Sequence, residues 1–383
     1  MPDIDFFGFG DFPMNRHFFL SLLGVLALAA GVALHSESSV QIPYDHLADR
    51  IVSALQVSKG ERVLLRYDPD TLGPLEPVLR AKLTAKGAVV KTLNYGPAAD
   101  FQAVLDQTDI YIWLPVKQSE AAPEQRAALA RWLDEGKGRQ IHFHWNGGTQ
   151  DRDGRAGTHS AEFDRIYVDA LDIDYGKLSR DQDKVIAKLR SGEVRVTSPA
   201  GTDIRFTVGD RPFNKQDGDA SKARMAHAKV RVDREIELPA GVVRVAPIET
   251  SANGVIVVPK ARLLEGAVVT GIRLEFTNGK VVKATAQTGQ KDLDAYLASS
   301  PALTSFRELG LGFNPKLAAS KDAAFLPYYG YGDAVVRLAL GDNTEVGGAV
   351  RGGGSRWLFF DDTTIAVGGD RIVENGRLTA AYR

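Results

Sequence analysis

The side chains in this 383-residue chain that could do chemistry are mainly histidines and carboxylates, because the chain contains no cysteine. Without cysteine, disulfides, thiolate-ligated metals and a cysteine nucleophile are excluded. A metal site would therefore have to use His, Asp and Glu as ligands. The seven histidines are His17, His35, His46, His142, His144, His159 and His227, so none lies in the carboxy-terminal third of the chain.

His142 and His144 are close enough in the sequence to act together. His142 and His144 lie two residues apart in RQIHFHW (139–145), a predicted strand, so both side chains share one face. They come at the carboxyl end of that strand, where open α/β sheets form their ligand crevices. The pair could coordinate a metal or contact a peptide; the other interpretation is a buried, hydrogen-bonded pair.

A second group of candidate residues is aromatic. Phe325, Tyr328, Tyr329 and Tyr331 follow closely in the sequence and could line the mouth of a pocket. The alternative is the packed edge of a loop. We retain Tyr329, with the two histidines, as a candidate ligand-binding residue.

The elements that must position these residues alternate in the first half of the chain. Strand-like segments are predicted at 60–68, 88–95, 109–115 and 139–145, and helical segments at 74–87, 101–107, 123–136, 161–173 and 178–192. This alternation predicts a doubly wound, mostly parallel α/β domain over residues 40–195. No GxGxxG or Walker-type loop follows any predicted strand, so nucleotide binding has no support.

After residue 195 the pattern changes to short strands and turns. A β-rich α+β domain is predicted over residues 196–383, with one helix at 291–299. Asn278-Gly279 between two β-rich runs is a strong signal for a two-residue hairpin turn. WLFFDDTTIAV (357–367) is interpreted as a single β run.

The amino terminus has the features of an export signal. Residues 18–34 are apolar and uncharged, and Arg16 and His17 precede them. We expect residues 1–36 to be a cleaved signal peptide or a membrane anchor, and Met14 is an alternative start of translation. The protein would then be exported, periplasmic or secreted, or anchored by residues 18–34. A net charge of −1 argues against nucleic acid as a partner.

Several blocks in the second half occur in a recognisable order. They are GTDIRF (201–206), GDRPFNKQDG (209–218), ELPAGVVRVAPIETSANGVI (237–256), GIRLEFTNGKVVKATA (271–286), FRELGLGFNP (306–315) and RLALG (337–341). In this order they resemble the aminopeptidase T family of metallopeptidases. The resemblance implies a two-metal site in the carboxy-terminal domain, release of N-terminal residues from peptides, and usually a homodimer.

In such a site two divalent cations, roughly 3.5–4 Å apart, generate hydroxide and polarise the scissile carbonyl. The resemblance implies two Glu, two His and one Asp as ligands, with a Tyr nearby. By alignment Glu249 and Glu308 occupy the two Glu positions. They are therefore candidates for catalysis and for metal binding.

The other family positions have changed. Arg337 replaces the first ligand His, and Thr344 replaces the Tyr. In the last motif, one register puts Leu358 and Phe360 at the His and Asp positions, and a register with one insertion puts Phe359 and Asp361 there. Asp361 is therefore a possible metal ligand in the second register only, and the His is missing from both.

Arg337 is the most informative change, because a guanidinium cannot ligate a cation but can pair with carboxylates. We hypothesise that Arg337 takes the place of a metal and neutralises both Glu249 and Glu308. The alternative is an arginine that points to solvent, with both glutamates hydrated.

Three functions follow from these residues. The first is a degenerate, non-hydrolytic family member that binds a peptide or small ligand and needs no cofactor. The second is an active aminopeptidase with Zn, Mn or Co in a rebuilt site, for which Asp333, Asp342, Asp361 and Asp362 are nearby carboxylates. The third is different metal chemistry on the same scaffold, since iron-dependent ring-cleaving dioxygenases share the family's fold.

Overall fold

The computed structural model describes residues 41–96, 100–115, 122–145, 150–151, 161–263, 266–318, 325–326 and 328–383. The predicted export segment therefore lies outside the described residues. None of the helices within these ranges has the length and apolar character needed to cross a membrane.

Helices and strands alternate in the first half, as its pattern predicts. The elements are α1 (Tyr44–Leu55), β1 (Arg62–Tyr67), α2 (Leu75–Ala85), β2 (Val89–Asn94), α3 (Phe101–Leu105), β3 (Ile110–Trp113), α4 (Pro123–Asp134), β4 (Arg139–Phe143), β5 (Gln150–Asp151), α5 (Ala161–Leu171) and α6 (Tyr175–Arg190). Helix α1 is the element that the sequence pattern did not identify. Helix α6 begins where Asp174 accepts a hydrogen bond from the Lys177 backbone N–H at 2.8 Å, a typical N-cap.

The second half is rich in strands. It contains β6 (Val194–Thr197), β7 (Asp203–Phe206), β8 (Phe213–Gln216), α7 (Lys222–Met225), β9 (Glu235–Leu238), β10 (Val242–Val245), β11 (Asn253–Arg262), β12 (Val268–Thr277), β13 (Lys280–Thr285), α8 (Gln290–Ala298), β14 (Phe306–Gly312), β15 (Phe325–Leu326), β16 (Val336–Gly341), β17 (Ser355–Phe360), β18 (Thr364–Val367) and β19 (Asp370–Val373). Short 3₁₀ segments lie at Arg231–Arg234, Pro301–Thr304, Tyr328–Gly330, Thr344–Val346 and Ala380–Tyr382.

A parallel sheet with helices on both faces organises the first half. Its strand order is β2-β1-β3-β4-β9, and every neighbouring pair is parallel. Val63 and Ile110 pack on the side of α1 and α2, whereas Leu64 and Tyr111 pack with α3 and α4 on the other side. The predicted doubly wound α/β architecture is therefore confirmed.

The fifth strand of this sheet comes from the second half of the chain. Strand β9 pairs with β4, from Gln140 opposite Glu235 to Phe143 opposite Leu238. The segment 40–195 therefore does not contain the whole of its own sheet. One continuous buried cluster also joins the halves, from Leu47 in α1 to Ile372 in β19.

Antiparallel sheets form the rest of the second half. One has the order β17-β16-β14-β10-β8, the other β13-β12-β11-β7-β6-β18-β19. Asn278 and Gly279 connect β12 to β13 with φ values of 49° and 76°, as a type I′ turn requires. The β-rich carboxy-terminal architecture is thus also confirmed.

The interpretation of residues 357–367 as one β run was wrong. Strand β17 ends at Phe360 and belongs to the five-stranded antiparallel sheet, whereas β18 begins at Thr364 in the seven-stranded sheet. The polar residues Asp361, Asp362 and Thr363 separate the two strands, so the chain changes sheets there.

Candidate functional site

Glu308 lies at the centre of a buried ionic network in the five-stranded antiparallel sheet. Strand β14 carries Glu308 between β10 and β16, which supply Arg244 and Arg337. Arg244 donates to Glu308 Oε2 at 2.8 Å and to Oε1 at 3.1 Å, and Arg337 Nη2 donates to Oε1 at 2.9 Å. Arg307 Nε donates to Oε2 at 3.0 Å. Arginine N–H groups therefore occupy both oxygens of a carboxylate that is wholly excluded from solvent.

A second carboxylate completes what we call the Arg–Glu network: Arg244, Arg307, Glu308, Arg337 and Glu345. Glu345 follows β16 and pairs with Arg244 and, at 3.0 Å, with Arg307. The network contains three guanidinium groups and two carboxylates, so it carries one net positive charge when all are ionised. An excess of positive charge disfavours a metal cation at this place.

The pKa values of this network reflect burial opposed by ion pairing. Burial alone would raise the pKa of Glu308, but the charges of Arg244, Arg337 and Arg307 hold it well below its ordinary range. Burial likewise opposes the ionised form of Glu345, and Arg244 and Arg307 lower its pKa to about 2. Both carboxylates are therefore ionised at neutral pH.

Arg337 is also held by aromatic rings. Its guanidinium carbon lies 4.4 Å from the ring centroid of Trp357 and 5.9 Å from that of Tyr331. Only 2% of the Arg337 side chain is exposed. The alternative of an arginine pointing to solvent is therefore wrong.

Glu249 does not belong to this network. It pairs with Arg211 and accepts a hydrogen bond from the Ala349 backbone N–H at 2.7 Å. The hypothesis that Arg337 neutralises both glutamates is correct for Glu308 and wrong for Glu249. The reason is that Glu249 lies beyond the end of β10, where Arg211 supplies a separate cation.

The register of β16 and β17 bears on Asp361. Arg337 lies directly opposite Phe359, so alternation puts Trp357 and Phe359 on the face of Arg337. Leu358 and Phe360 lie on the opposite face and are buried in the core. Phe359, and not Leu358, therefore lies on the face of Arg337, and Asp361 follows just after the end of the strand.

A row of side chains crosses the carboxyl edge of the parallel sheet. Arg66 in β1 lies opposite Trp113 in β3, Trp113 opposite His142 in β4, and His142 opposite Glu237 in β9. Residues paired in a parallel sheet point to the same face, so the four side chains follow one another along this edge. This is where open α/β sheets bind ligands.

His142 and His144 form what we call the edge cluster, together with Trp113, Glu235 and Glu237. The ring centroids of the histidines are 3.8 Å apart, and that of Trp113 lies 4.4 Å from His142. His142 Nδ1 is 3.1 Å from Glu235 Oε1. Burial, and next the neighbouring His142, lower the pKa of His144 well below its ordinary value, so His144 is neutral at pH 7.

The structure also brings the predicted Tyr329 to this place. Its ring centroid is 5.2 Å from that of His144 and 5.7 Å from that of Trp357. Tyr331 donates a hydrogen bond to Glu237. The aromatic residues therefore connect the edge cluster with the Arg–Glu network. The side chains of Phe325 and Tyr328 lie outside what the structure describes.

A comparison with known families clarifies this arrangement. The family described as thermophilic metalloprotease (M29) matches residues 174–343. This segment is therefore similar to the thermophilic metalloprotease family. The resemblance predicted from the sequence is thereby confirmed, and a comparison with curated proteins found no match.

Solved structures share the fold of most of this chain. Wild-type AmpT from Thermus thermophilus has a TM-score of 0.57 at 16% identity, covering 88% of this chain and 99% of its own. A 2,5-dihydroxypyridine dioxygenase from Pseudomonas putida has a TM-score of 0.60 at 14% identity, covering 88% and 97%. At these identities the likeness concerns the fold alone.

The residues at the metalloprotease family's metal positions do not fit a pair of metal ions. Both oxygens of Glu308 accept from arginines, and Arg211 pairs with Glu249. Within the part of the chain that the structure describes, the one group of three His, Asp or Glu that could share an ion is His142, His144 and Glu237. Glu249, Glu308 and Asp361 do not form such a group.

Sequence reasoning missed five residues of this region: Arg244, Arg307, Glu345, Glu235 and Glu237. One signal was available, since Arg244 interrupts an otherwise apolar strand, VVRV, where a charge needs a buried partner. The two β9 glutamates gave no such signal, because nothing in the sequence assigned β9 to the parallel sheet. Of the other nearby acids, Asp342 is a turn residue that accepts from Thr344, Gly352 and Gly353.

Proposed function

We propose that this metallopeptidase-like protein is non-hydrolytic and binds a peptide or small ligand. The observation that carries the proposal is the buried carboxylate of Glu308, which three arginines contact. A carboxylate saturated in this way offers no lone pair to a cocatalytic metal pair. Hydrolysis by the two-metal chemistry that the family resemblance implies is therefore not expected.

The competing proposal is an active metal-dependent aminopeptidase with a rebuilt site. The family match favours it, because metalloproteases need a metal ion. It requires a cation close to a water and to the scissile carbonyl. The residues at the family's own positions do not supply this cation site, so activity would need ligands from elsewhere.

The experiment that separates the two proposals is a measurement of bound metal and of amide hydrolysis. The full chain is purified without chelator, and its Zn, Mn and Co contents are measured. Cleavage of amino-acid p-nitroanilides is then followed with each metal added. We expect no metal-dependent cleavage. Two equivalents of metal together with cleavage would overturn the non-hydrolytic proposal.

Arg66 favours a ligand that carries a carboxylate. Its side chain is 1% exposed, and within the described residues its Nε has no hydrogen-bond partner. Its guanidinium lies over Tyr95 and Phe101 and donates to Gly96 O at 3.0 Å. Among the described residues, Arg66 forms no ion pair with a carboxylate.

Binding can be tested with a library of free dipeptides and the same dipeptides as C-terminal amides. We expect free dipeptides to raise the Tm of the full chain and the amides to have a smaller effect. Arg66→Gln should abolish the difference, and Arg62→Gln, at the exposed amino-terminal end of the same strand, should keep it. Equal shifts by acids and amides would argue against the carboxylate.

We also propose that the protein is exported. The support is the apolar, uncharged run of residues 18–34 behind Arg16 and His17. N-terminal sequencing of the protein from fractionated cells tests this proposal. A mature start shortly after residue 30 in an extracytoplasmic fraction is expected, and an intact Met1 in the cytosol would contradict it.

A further inference from the structure

We infer that His142, His144 and Glu237 bind one divalent transition-metal ion at the carboxyl edge of the parallel sheet. This site is separate from Glu249 and Glu308, the positions that the family resemblance assigns to metal. It also uses residues outside the Arg–Glu network. The inference is independent of whether the protein hydrolyses peptides.

The geometry of the three donors carries the inference. Each residue offers a ligand atom, and these atoms all lie within 4.8 Å of one another. Such separations are close to those that a single ion imposes on ligands at about 2.0–2.2 Å. Two imidazoles and one carboxylate form the donor set of many open transition-metal sites, with the remaining positions left to water or ligand.

Rigid elements hold the donors in place. His142 lies in β4 and Glu237 directly opposite it in β9, so a ladder of backbone hydrogen bonds fixes their separation. The His144 backbone N–H donates to Leu238 O at 2.8 Å, which ties the third donor to the same strand pair. Little reorganisation is therefore needed to bring the three side chains together.

Residues next to the three donors hold them by hydrogen bonds, as is usual for the side chains that bind a metal. His142 Nδ1 faces Glu235 Oε1 at 3.1 Å, which leaves Nε2 to carry the lone pair toward an ion. Tyr331 donates to Oε2 of Glu237, which helps to fix the orientation of that carboxylate. Trp113 and Tyr329 form an apolar wall beside the histidines.

The chemistry of the donors restricts the ion. Imidazole nitrogen suits Zn²⁺, Fe²⁺, Co²⁺ or Ni²⁺, whereas Mg²⁺ and Ca²⁺ prefer sites made of oxygen alone. We therefore expect binding of Zn²⁺ and Co²⁺ and no competition from millimolar Mg²⁺ or Ca²⁺.

The test is a titration of the chelator-treated full chain with Zn²⁺ and with Co²⁺, using a colorimetric competitor. We expect one equivalent to bind, and visible absorption bands to appear with Co²⁺. His144→Ala and Glu237→Gln should each weaken Zn²⁺ binding at least 100-fold. Glu235→Gln should weaken it about 10–100-fold, since it removes an orienting partner and no ligand.

Two matched controls separate this site from others. His227→Gln removes an exposed histidine, and Glu275→Gln removes a carboxylate from a surface ion pair; neither should change Zn²⁺ binding. Failure of wild-type protein to bind Zn²⁺, or affinities of His144→Ala and Glu237→Gln within twofold of wild type, would overturn the inference. If the variants do not fold, the wild type is loaded with Cu²⁺ and its electron paramagnetic resonance spectrum is recorded. Nitrogen hyperfine coupling from imidazole supports the site. The absence of such coupling overturns the inference.

Discussion

Arg337 donates to Glu308 Oε1 at 2.9 Å, and the two side chains are 2% and 0% exposed. The pair joins neighbouring strands β16 and β14 in the interior of the antiparallel sheet. Arg244 and Arg307 contact the same carboxylate, so Glu308 is the shared anion of three cations.

Removing the charge of Glu308 should strongly destabilise the protein, because Glu345, which contacts Arg244 and Arg307, would be the one carboxylate left in a network of three buried guanidinium groups. We expect Glu308→Gln to lower the free energy of unfolding by about 3–5 kcal/mol, measured by urea denaturation. Glu275→Gln is the matched control, since Glu275 pairs with Arg273 and Lys283 at the surface. Glu275→Gln should lower the free energy of unfolding by less than about 1 kcal/mol. A similar cost at both positions would refute the shared-anion interpretation.

Restoring the family's histidine at position 337 should not restore a metal site. In Arg337→His, Glu308 still pairs with Arg244 and Arg307, and Glu249 still pairs with Arg211. We expect no gain in bound metal over the wild type and no peptidase activity. Metal analysis of the two proteins side by side checks this, and an additional equivalent of Zn²⁺ in the variant would contradict it.

Stability should fall at acid pH because of the Arg–Glu network. The pKa of Glu345 in the folded protein is about 2, and that of Glu308 is also depressed. As the pH falls through the ordinary pKa of a glutamate, the unfolded chain therefore binds more protons than the folded protein does. The stabilisation is present above about pH 5 and is lost progressively toward pH 2. Unfolding free energies measured at several pH values should show a shallower slope for Glu345→Gln than for wild type. Equal slopes for the two proteins would mean that the pKa of Glu345 is not lowered in the folded state.

The hydrogen bond from Tyr331 to Glu237 couples the edge cluster to the residues around Arg337. Tyr331→Phe removes this bond and leaves a charged carboxylate with one partner fewer. We expect a loss of about 1–3 kcal/mol in unfolding free energy, measured by denaturant titration. Tyr296→Phe is a comparison at another buried tyrosine that lies in helix α8. A Tyr331→Phe protein as stable as wild type would show that the bond contributes nothing.

A fragment that ends at residue 195 should not fold by itself. It lacks β9, so the edge of β4 would be unpaired, and it loses most of the buried cluster that joins the halves. We expect a fragment of residues 41–195 to aggregate or to give a circular dichroism spectrum without a cooperative thermal transition. A cooperative transition in the isolated fragment would show that the parallel sheet is complete without β9.

The sequence predicted the elements better than it predicted their contacts. Period and turn signals located β1 to β4 and the Asn278-Gly279 hairpin, because those signals are local. Strand β9 was missed because four residues, EIEL, alternate like many surface strands, and only the tertiary fold assigns them to the parallel sheet.

For the candidate site, too, the sequence predicted individual residues better than it predicted their contacts. Alignment gave Glu308 and Arg337, and their pairing followed from the chemistry of a guanidinium beside a carboxylate. Glu249 seemed equivalent to Glu308, yet Arg211 compensates it, and only the path of the chain after β10 decides between the two cations. The edge cluster needed β9 as well as the histidine spacing, so Glu237, one of the three proposed ligands, could not be predicted.

The position of β9 also bears on how the protein is made. The ribosome has to synthesise the chain as far as Leu238 before the parallel sheet can acquire its fifth strand. Until then β4 would present its backbone N–H and C=O groups to other chains, while the 95 residues that follow Phe143, up to Leu238 and including α5, α6 and β6 to β8, are being added. An unpaired edge exposed over this interval favours aggregation unless the nascent chain is kept away from other chains.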